Sequence, residues 1–366
     1  MMTLRLHRAM AGAWLCVVLV ARAARADDAL ARVVAVDRWL DGDGPPPAHW
    51  EVASKRDLNP RWKKGGGGSN KQVSKTSYGK AKVVVKTKIE HTKGGKTPKN
   101  SGEQRERLLR AELLFLEYLA GSPGVPKLYG GWLGDGGARV TYVVQDAGEI
   151  LGAGTGTVGR PAKPAAPWAA FARNAPVAAL RALLECFRSF SEVGGYFLND
   201  FHPYQFTVIG PRDKHATTGG AVYLIDAPLA LAGPMRNFSV AKGLRVAESR
   251  RGACAGDGDC PATPPYHCCC RWERFSDSSQ KCERGARGAP EAKGKCLKGR
   301  CLPVSAKTHV FDIAAKAWAL PLVLKEGHLE PAAKKKLRVL EAWMLAPDPD
   351  DRPNLTEALL FLDGVS

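Results

Sequence analysis

Four ionisable residues stand at positions where phosphate chemistry would need them. Lys86 follows a run of three valines, and Glu112 lies in a leucine-rich segment further along the chain. Asp200 and Asp226 each follow a short apolar stretch. A lysine held by a carboxylate can neutralise phosphate oxygens, a second carboxylate can bind Mg²⁺, and a third can accept the proton of an attacking hydroxyl. These residue types indicate phosphoryl transfer from a metal-bound nucleotide as the chemistry to examine.

The first two residues belong to a predicted strand and a predicted helix. Lys82–Ile89 is rich in β-branched residues, which predicts a strand. Ser101–Ala120 has leucines at helical spacing, which predicts a helix that includes Glu112. Lys86 could therefore pair with Glu112. Lys88 shares the side of the strand with Lys86, so it is the alternative partner.

The other two residues belong to a loop and a hairpin. Asp200 precedes Gln205, whose amide oxygen could also bind a metal. Phe206–Ile209 and Ala221–Ile225 predict two strands joined by a turn that contains Gly and Pro. Asp226 ends the second strand, where a carboxylate is a good Mg²⁺ ligand. The alternative role for Asp200 is that of a turn or capping residue.

The predicted elements change from strands to helices along the chain. Further strands are predicted at Leu128–Leu133 and Val140–Val144, before a stretch rich in Gly, Pro and Ala at Gly152–Pro167 that predicts a linker or surface loop. Helices are then predicted at Val177–Val193, Phe311–Leu324, Ala332–Leu345 and Leu355–Leu362. Strands that precede helices, with a breaker between them, predict an α+β chain with two lobes.

Residues 1–26 have the three parts of a secretory signal peptide. Arg5 and Arg8 give a basic start, Ala9–Ala21 is apolar, and the segment ends in Ala-Arg-Ala, a cleavage pattern of small residues. The apolar run is shorter than the ~20 residues that span a bilayer. We therefore expect the chain to enter the secretory pathway. An uncleaved signal-anchor, which would attach the chain to a membrane, is the alternative.

The formal net charge of the chain is +18. Such a surplus favours anionic partners. A secreted chain rarely meets nucleic acid, so we expect anionic substrates, nucleotide phosphates or glycans instead; a solvated basic face is the alternative. Two N-glycosylation sequons, which begin at Asn237 and Asn354, agree with the secretory interpretation.

The cysteines are concentrated in one segment after the hairpin. Of the ten in the chain, eight lie there: Cys254, Cys260, Cys268, Cys269, Cys270, Cys282, Cys296 and Cys301. A dense, even set in a secreted chain predicts disulfides. Zinc is the alternative because His267 adjoins the run of cysteines, although no paired C-x2-C spacing occurs. Cys186 lies in a helical pattern and is expected to be a buried thiol.

The order of the chemical residues resembles that of the eukaryotic protein kinases. That family has a lysine after a valine-rich strand, a glutamate on the next helix, the catalytic loop H-R-D-x-x-x-x-N and the metal motif D-F-G. The resemblance implies that Asp200 is the catalytic base, that Lys86 and Glu112 form the ion pair, and that Gln205 and Asp226 bind the metal. It also implies ATP with Mg²⁺ or Mn²⁺ as the cofactor.

Other segments extend the resemblance over residues 65–366. Gly66 and Gly68 fit the glycine loop that covers the phosphates. Asp312 resembles the buried aspartate that opens the central helix of the C-lobe, and Arg352 lies in a segment similar to L-x-x-D-P-x-x-R-P, so both would be structural. The implied domains are a signal peptide at 1–26, an N-terminal extension at 27–64, an N-lobe at 65–150, and a C-lobe at 151–366 with a disulfide-rich insert at 249–303.

Several positions depart from the kinase pattern, and no A-P-E segment follows the metal motif. The substitutions are Leu198-Asn199 for His-Arg, Gln205 for the metal-binding Asn, Ala227-Pro228 for Phe-Gly, and Lys71 where a third glycine is expected. The departures leave the phosphate-binding groups in place and weaken the activation machinery.

The leader, the glutamine in the catalytic loop and the cysteine-rich insert are similar to the divergent protein kinase domain family, to which vertebrate lonesome kinase is related. This resemblance implies ATP-dependent phosphorylation of luminal or secreted proteins in the endoplasmic reticulum or Golgi. One alternative is a pseudokinase, a scaffold that binds nucleotide or partner proteins without phosphoryl transfer. Another is a protein-binding role for the cysteine-rich segment, residues 249–303.

Overall fold

The computed structural model describes most of the chain after residue 26. The described ranges are 27–67, 71–88, 102–134, 139–153, 163–193, 203–210, 220–226, 306–346 and 348–365, with short pieces at 197–198, 230–231, 255, 296–297 and 299–301. The predicted α+β class is confirmed, and the strands within each sheet pair antiparallel. The chain divides into two compact units, Met1–Ala120 with Lys127–Gln145 and Gly121–Pro126 with Asp146–Ser366.

The first unit is built on a five-stranded sheet in the order β1-β2-β3-β5-β4. Its strands are β1 (Lys63–Gly67), β2 (Lys71–Tyr78), β3 (Ala81–Lys88), β4 (Leu128–Gly134) and β5 (Arg139–Gln145). Two helices complete the unit, α1 at residues 27–40 and α2 at Gly102–Tyr118. The strands predicted for β3, β4 and β5 and the helix predicted for α2 are thus present.

Strand β3 is buried on both faces. Val83 and Val85 pack on one face with Val52 and Leu58, two residues of the segment that precedes the sheet. Lys86 is buried too, and its side chain points to the other face because side chains alternate along a strand. The N-terminal extension therefore forms part of the hydrophobic core of this unit.

The second unit is mostly helical. Its helices are α3 (Ala166–Asn174), α4 (Pro176–Phe187), α5 (Ala306–Ala315), α6 (Leu320–Glu326), α7 (Pro331–Met344) and α8 (Leu355–Asp363). Its short strands are β6 (Glu149–Ile150), β7 (Gly152–Ala153), β8 (Lys163–Pro164), β9 (Phe197–Leu198), β10 (Phe206–Ile209), β11 (Ala221–Leu224), β12 (Ala230–Leu231), β13 (Cys296–Leu297) and β14 (Arg300–Cys301). Strands β10 and β11 form the predicted antiparallel hairpin.

Aromatic side chains fill the core of the second unit. The ring of Phe187 lies 5.2 Å from that of Phe206 and 5.2 Å from that of His309. Trp168 Nε1 donates a hydrogen bond of 2.6 Å to the carbonyl oxygen of Trp318, so the indole is buried with its polar group satisfied. This packing joins α3, α4 and α5 to the hairpin.

A predicted helix and a glycine assigned to the phosphate loop differ in the structure. The helix predicted at Phe311–Leu324 is two helices, α5 and α6, because Pro321 lacks an amide hydrogen and favours the first turn of a new helix. Gly66, which the resemblance places in the glycine loop, lies in β1, where antiparallel pairing with β2 uses only backbone groups.

Arg352 and Asp312 lie in the second unit. Arg352 is buried, and its Nε donates a hydrogen bond of 2.7 Å to the carbonyl oxygen of Ala346. Its guanidinium also lies 4.7 Å from the ring centre of Phe311, as expected of a residue with a packing role. Asp312 is half-buried inside α5 and does not open that helix.

The predicted leader, residues 1–26, and most of the predicted cysteine-rich insert lie outside the described residues. Cys296 and Cys301 are directly opposite each other in the β13–β14 pair. Among the side chains that the structure describes, the cysteine present is Cys186, which is a free buried thiol as predicted. No helix within the described ranges is both long and apolar enough to cross a membrane.

Candidate functional site

Lys86 and Glu112 form a buried ion pair in the first unit. Lys86 Nζ donates a hydrogen bond of 2.6 Å to Glu112 Oε1, and the two side chains are 5% and 2% exposed. Tyr142 lies opposite Lys86 on β5, and the ammonium group is 5.8 Å from the centre of its ring. The predicted pairing of strand lysine and helix glutamate is therefore present, in a site with little water.

A second lysine binds the same carboxylate. Lys71 Nζ donates a hydrogen bond of 2.6 Å to Glu112 Oε2, and its side chain is 9% exposed. Lys71 begins β2, where Val73 lies opposite Lys86 on β3. Residues two apart share a face of a strand, so Lys71 points to the same side of the sheet as Lys86.

The role of Lys71 can be recognised from the sequence only when the register of β2 with β3 is known. Lys71 occupies a position where the resemblance expects a glycine, and it has few apolar neighbours that would mark a strand. The antiparallel register places it directly opposite Lys88 and diagonal to Lys86. Its role was therefore missed.

Glu112 stays ionised in spite of its burial. Loss of water around the side chain would by itself raise the pKa of Glu112, but the charges and hydrogen bonds of Lys71 and Lys86 outweigh this effect and lower the pKa. Both carboxylate oxygens accept hydrogen bonds from ammonium groups, and such charge-assisted bonds are the strong ones in proteins. The three side chains therefore form a fixed, charged cluster.

Lys88, the alternative partner, contacts a different glutamate. Its Nζ lies 3.5 Å from Glu106 Oε2, about two helical turns before Glu112 on α2. Glu106 Oε1 also accepts a hydrogen bond of 3.1 Å from the backbone amide of Val140 on β5. Glu112 thus pairs with Lys86 and Lys71, whereas Lys88 pairs with Glu106 and so joins α2 to the sheet.

Gln205 and Asp226 come together at the end of the hairpin in the second unit. The backbone amide of Ile225 donates a hydrogen bond of 2.8 Å to the carbonyl oxygen of Gln205, which continues the register of Phe206 with Leu224. Asp226 follows at once, and the side chains of Gln205 and Asp226 are both half-buried. One carboxylate and one amide oxygen are therefore brought to the same end of the hairpin.

These oxygen donors suit Mg²⁺. In the described ranges no three His, Cys, Asp or Glu side chains cluster closely enough to hold a metal ion. Mg²⁺ commonly binds one or two carboxylates and takes its remaining ligands from substrate phosphates and water. Asp226 with Gln205 is thus a chemically suitable partial site, and Mn²⁺ accepts the same ligands.

The remaining predicted site residues are only partly described. Gly66 lies in β1, whereas Asp200 and Gly68 lie outside the described residues.

No family model and no curated protein matches this chain. Function is therefore inferred from the residues and contacts of this chain.

Proposed function

We propose that this chain is a divergent protein kinase of the secretory pathway that binds ATP with Mg²⁺ or Mn²⁺ and phosphorylates hydroxyl groups of luminal or secreted proteins. The observation that carries the proposal is the buried hydrogen bond between Lys86 and Glu112, 2.6 Å long. A lysine on the third strand that pairs with a glutamate on the following helix is the arrangement by which kinases hold nucleotide phosphates.

The architecture of the first unit supports the proposal. A five-stranded antiparallel sheet with α2 between β3 and β4 in sequence is the arrangement expected of a kinase N-lobe. The helical second unit would be the C-lobe, with the cysteine-rich segment as a disulfide-bonded insert. The leader would bring the chain to the lumen, where disulfides form.

Each residue has a distinct role in the proposed reaction. Lys86 would bind phosphate oxygens, and Glu112 would fix its ammonium group in one position. Because both side chains are nearly excluded from water, their charges act more strongly than they would in solvent. Asp226 and Gln205 would hold the metal, which would neutralise charge on the phosphate oxygens. Asp200 would accept the proton of the attacking hydroxyl.

A nucleotide-binding pseudokinase is the second candidate function. The substitution of Ala227-Pro228 for Phe-Gly and of Gln205 for asparagine favours it. These changes affect the groups that hold the metal and leave the lysine and glutamate pair unaltered. Binding of nucleotide without transfer is the behaviour that would distinguish this candidate.

The test is transfer of labelled phosphate from ATP by the full chain recovered from the secretory pathway. Wild type and Asp200→Asn would be assayed with Mg²⁺ and with Mn²⁺, on the chain itself and on casein as a general acceptor protein. Incorporation by wild type that the variant lacks supports the kinase. Binding of ATP by wild type without incorporation supports the pseudokinase, and equal incorporation by both proteins contradicts the role of Asp200.

A further inference from the structure

Two lysines meet at one buried carboxylate in the first unit. Lys71 Nζ and Lys86 Nζ each lie 2.6 Å from an oxygen of Glu112. The distance between the two Nζ atoms is therefore at most the sum of these two hydrogen bonds and the separation of the two carboxylate oxygens. Both ammonium groups lie on the same side of the sheet, close enough for one polyphosphate to contact both.

We propose that Lys71 is a second phosphate-binding residue, so that a nucleotide polyphosphate is held by two ammonium groups on one glutamate. This inference rests on the proposed function. It goes beyond the kinase resemblance, in which the position of Lys71 is expected to be a glycine of the phosphate loop. A glycine there would offer only its backbone, whereas Lys71 brings a full charge.

Electrostatics favours this role. Lysine is rarely buried unless it is paired, and Lys71 is buried together with Lys86. Two ammonium groups at this spacing repel each other, and the carboxylate of Glu112 that they share offsets part of that repulsion. A polyphosphate that contacts both groups lowers the repulsion further, so the cluster is suited to ligands with several adjacent negative charges.

A purely structural role makes a different prediction. If Lys71 served only to neutralise Glu112, its loss would act through the position of α2 and would weaken every ligand of the site alike. If Lys71 contacts phosphate, its loss weakens ligands in proportion to their phosphates and leaves the nucleoside untouched. Comparison of Mg-ATP with adenosine therefore separates the two roles.

The experiment is equilibrium titration of the full chain with Mg-ATP and with adenosine. Lys71→Met keeps the length of the side chain and leaves Glu112 paired with Lys86. Lys71→Arg keeps the charge, and Lys75→Met removes an exposed lysine from the same strand. The thermal midpoint of each variant is measured to show that it is folded.

We expect Lys71→Met to lower the affinity for Mg-ATP by about tenfold or more and to change the affinity for adenosine by less than about twofold. Lys71→Arg should retain most of the Mg-ATP affinity, and Lys75→Met should match wild type. Equal Mg-ATP affinity of wild type and Lys71→Met overturns the assignment, as does an equal loss for Mg-ATP and adenosine. If wild type itself does not bind Mg-ATP, the proposed function is contradicted, and so is this inference.

Discussion

The indole Nε1 of Trp50 donates a hydrogen bond of 3.2 Å to Oε2 of Glu117, near the end of α2. Oε1 of the same carboxylate lies 2.7 Å from His49 Nε2 and 3.3 Å from Arg32 Nε. Glu117 is 2% exposed, so these three partners replace water around its charge. The segment before the sheet is thus bonded to the helix that carries Glu112.

The first prediction concerns this connection. Glu117→Ala leaves the indole of Trp50 without its acceptor inside the protein, and it removes one of the two carboxylates that pair with Arg32. We expect the free energy of unfolding to fall by about 2–3 kcal/mol. Urea unfolding followed by tryptophan fluorescence measures this change.

Asp363→Ala is the control, because Asp363 forms a solvent-exposed ion pair with Arg181. Surface pairs of this kind contribute about 0–1 kcal/mol. Similar losses for Glu117→Ala and Asp363→Ala would show that the buried connection is no stronger than a surface pair.

The second prediction concerns two glycines of one short segment. Gly124 has a φ of +74°, and a Cβ there would lie 2.5 Å from the Cα of Cys186. Gly121 has a φ of +79°, with no atom within 4 Å of its Cβ position. Gly121→Ala should therefore lower the free energy of unfolding by about 1–2 kcal/mol, which is the strain of an L-residue in the left-handed conformation. Gly124→Ala should cost about 3 kcal/mol or more because the backbone of α4 must also move.

Urea unfolding of the two alanine variants measures the difference between these sites. A larger loss for Gly124→Ala supports the close approach of the segment to α4. Equal losses at both positions would contradict it.

The third prediction concerns pH. Burial lowers the pKa of His309 to about 3, below the value of 6.5 that it has in the unfolded chain. The unfolded state therefore binds a proton that the folded state does not between those two pH values. Above pH 6.5 this group does not change the free energy of unfolding. Below that pH, the free energy of unfolding falls by about 1.4 kcal/mol for each pH unit, because only the unfolded state takes up the proton.

His309→Leu removes the titrating group and keeps an apolar core residue of similar volume. Urea unfolding of both proteins at pH 7, 6 and 5 tests the effect. We expect the free energy of unfolding of wild type to fall relative to that of His309→Leu as the pH decreases below ~6.5. Parallel pH profiles would show that His309 does not titrate on unfolding.

Periodic segments were predictable from the sequence. The valines before Lys86 and the leucines around Glu112 define β3 and α2, and Phe206–Ile209 begins the hairpin. The leucines of α2 repeat with the helical period, and runs of β-branched or aromatic residues mark the strands, so local sequence is enough to identify these elements. The pairing of Lys86 with Glu112 follows from those two elements together with the kinase resemblance.

Residues whose role depends on tertiary contacts were not predictable. The segment that contains Val52 and Leu58 has no clear period, yet it covers a face of the sheet. Glu117 differs from an exposed acid only through its contacts with residues 67, 68 and 85 positions earlier. Lys71 required the register of β2 with β3, which no local pattern specifies.

The most direct test of the central claim is the affinity of the full chain for Mg-ATP, measured by equilibrium titration for wild type, Lys86→Met and Lys88→Met. Lys88 is a matched control because it lies on the same strand and face but pairs with Glu106. We predict that Lys86→Met weakens binding by about tenfold or more and that Lys88→Met changes it by less than about twofold. The absence of binding by wild type, or equal affinity of wild type and Lys86→Met, would contradict the assignment of Lys86 and Glu112 to a nucleotide site.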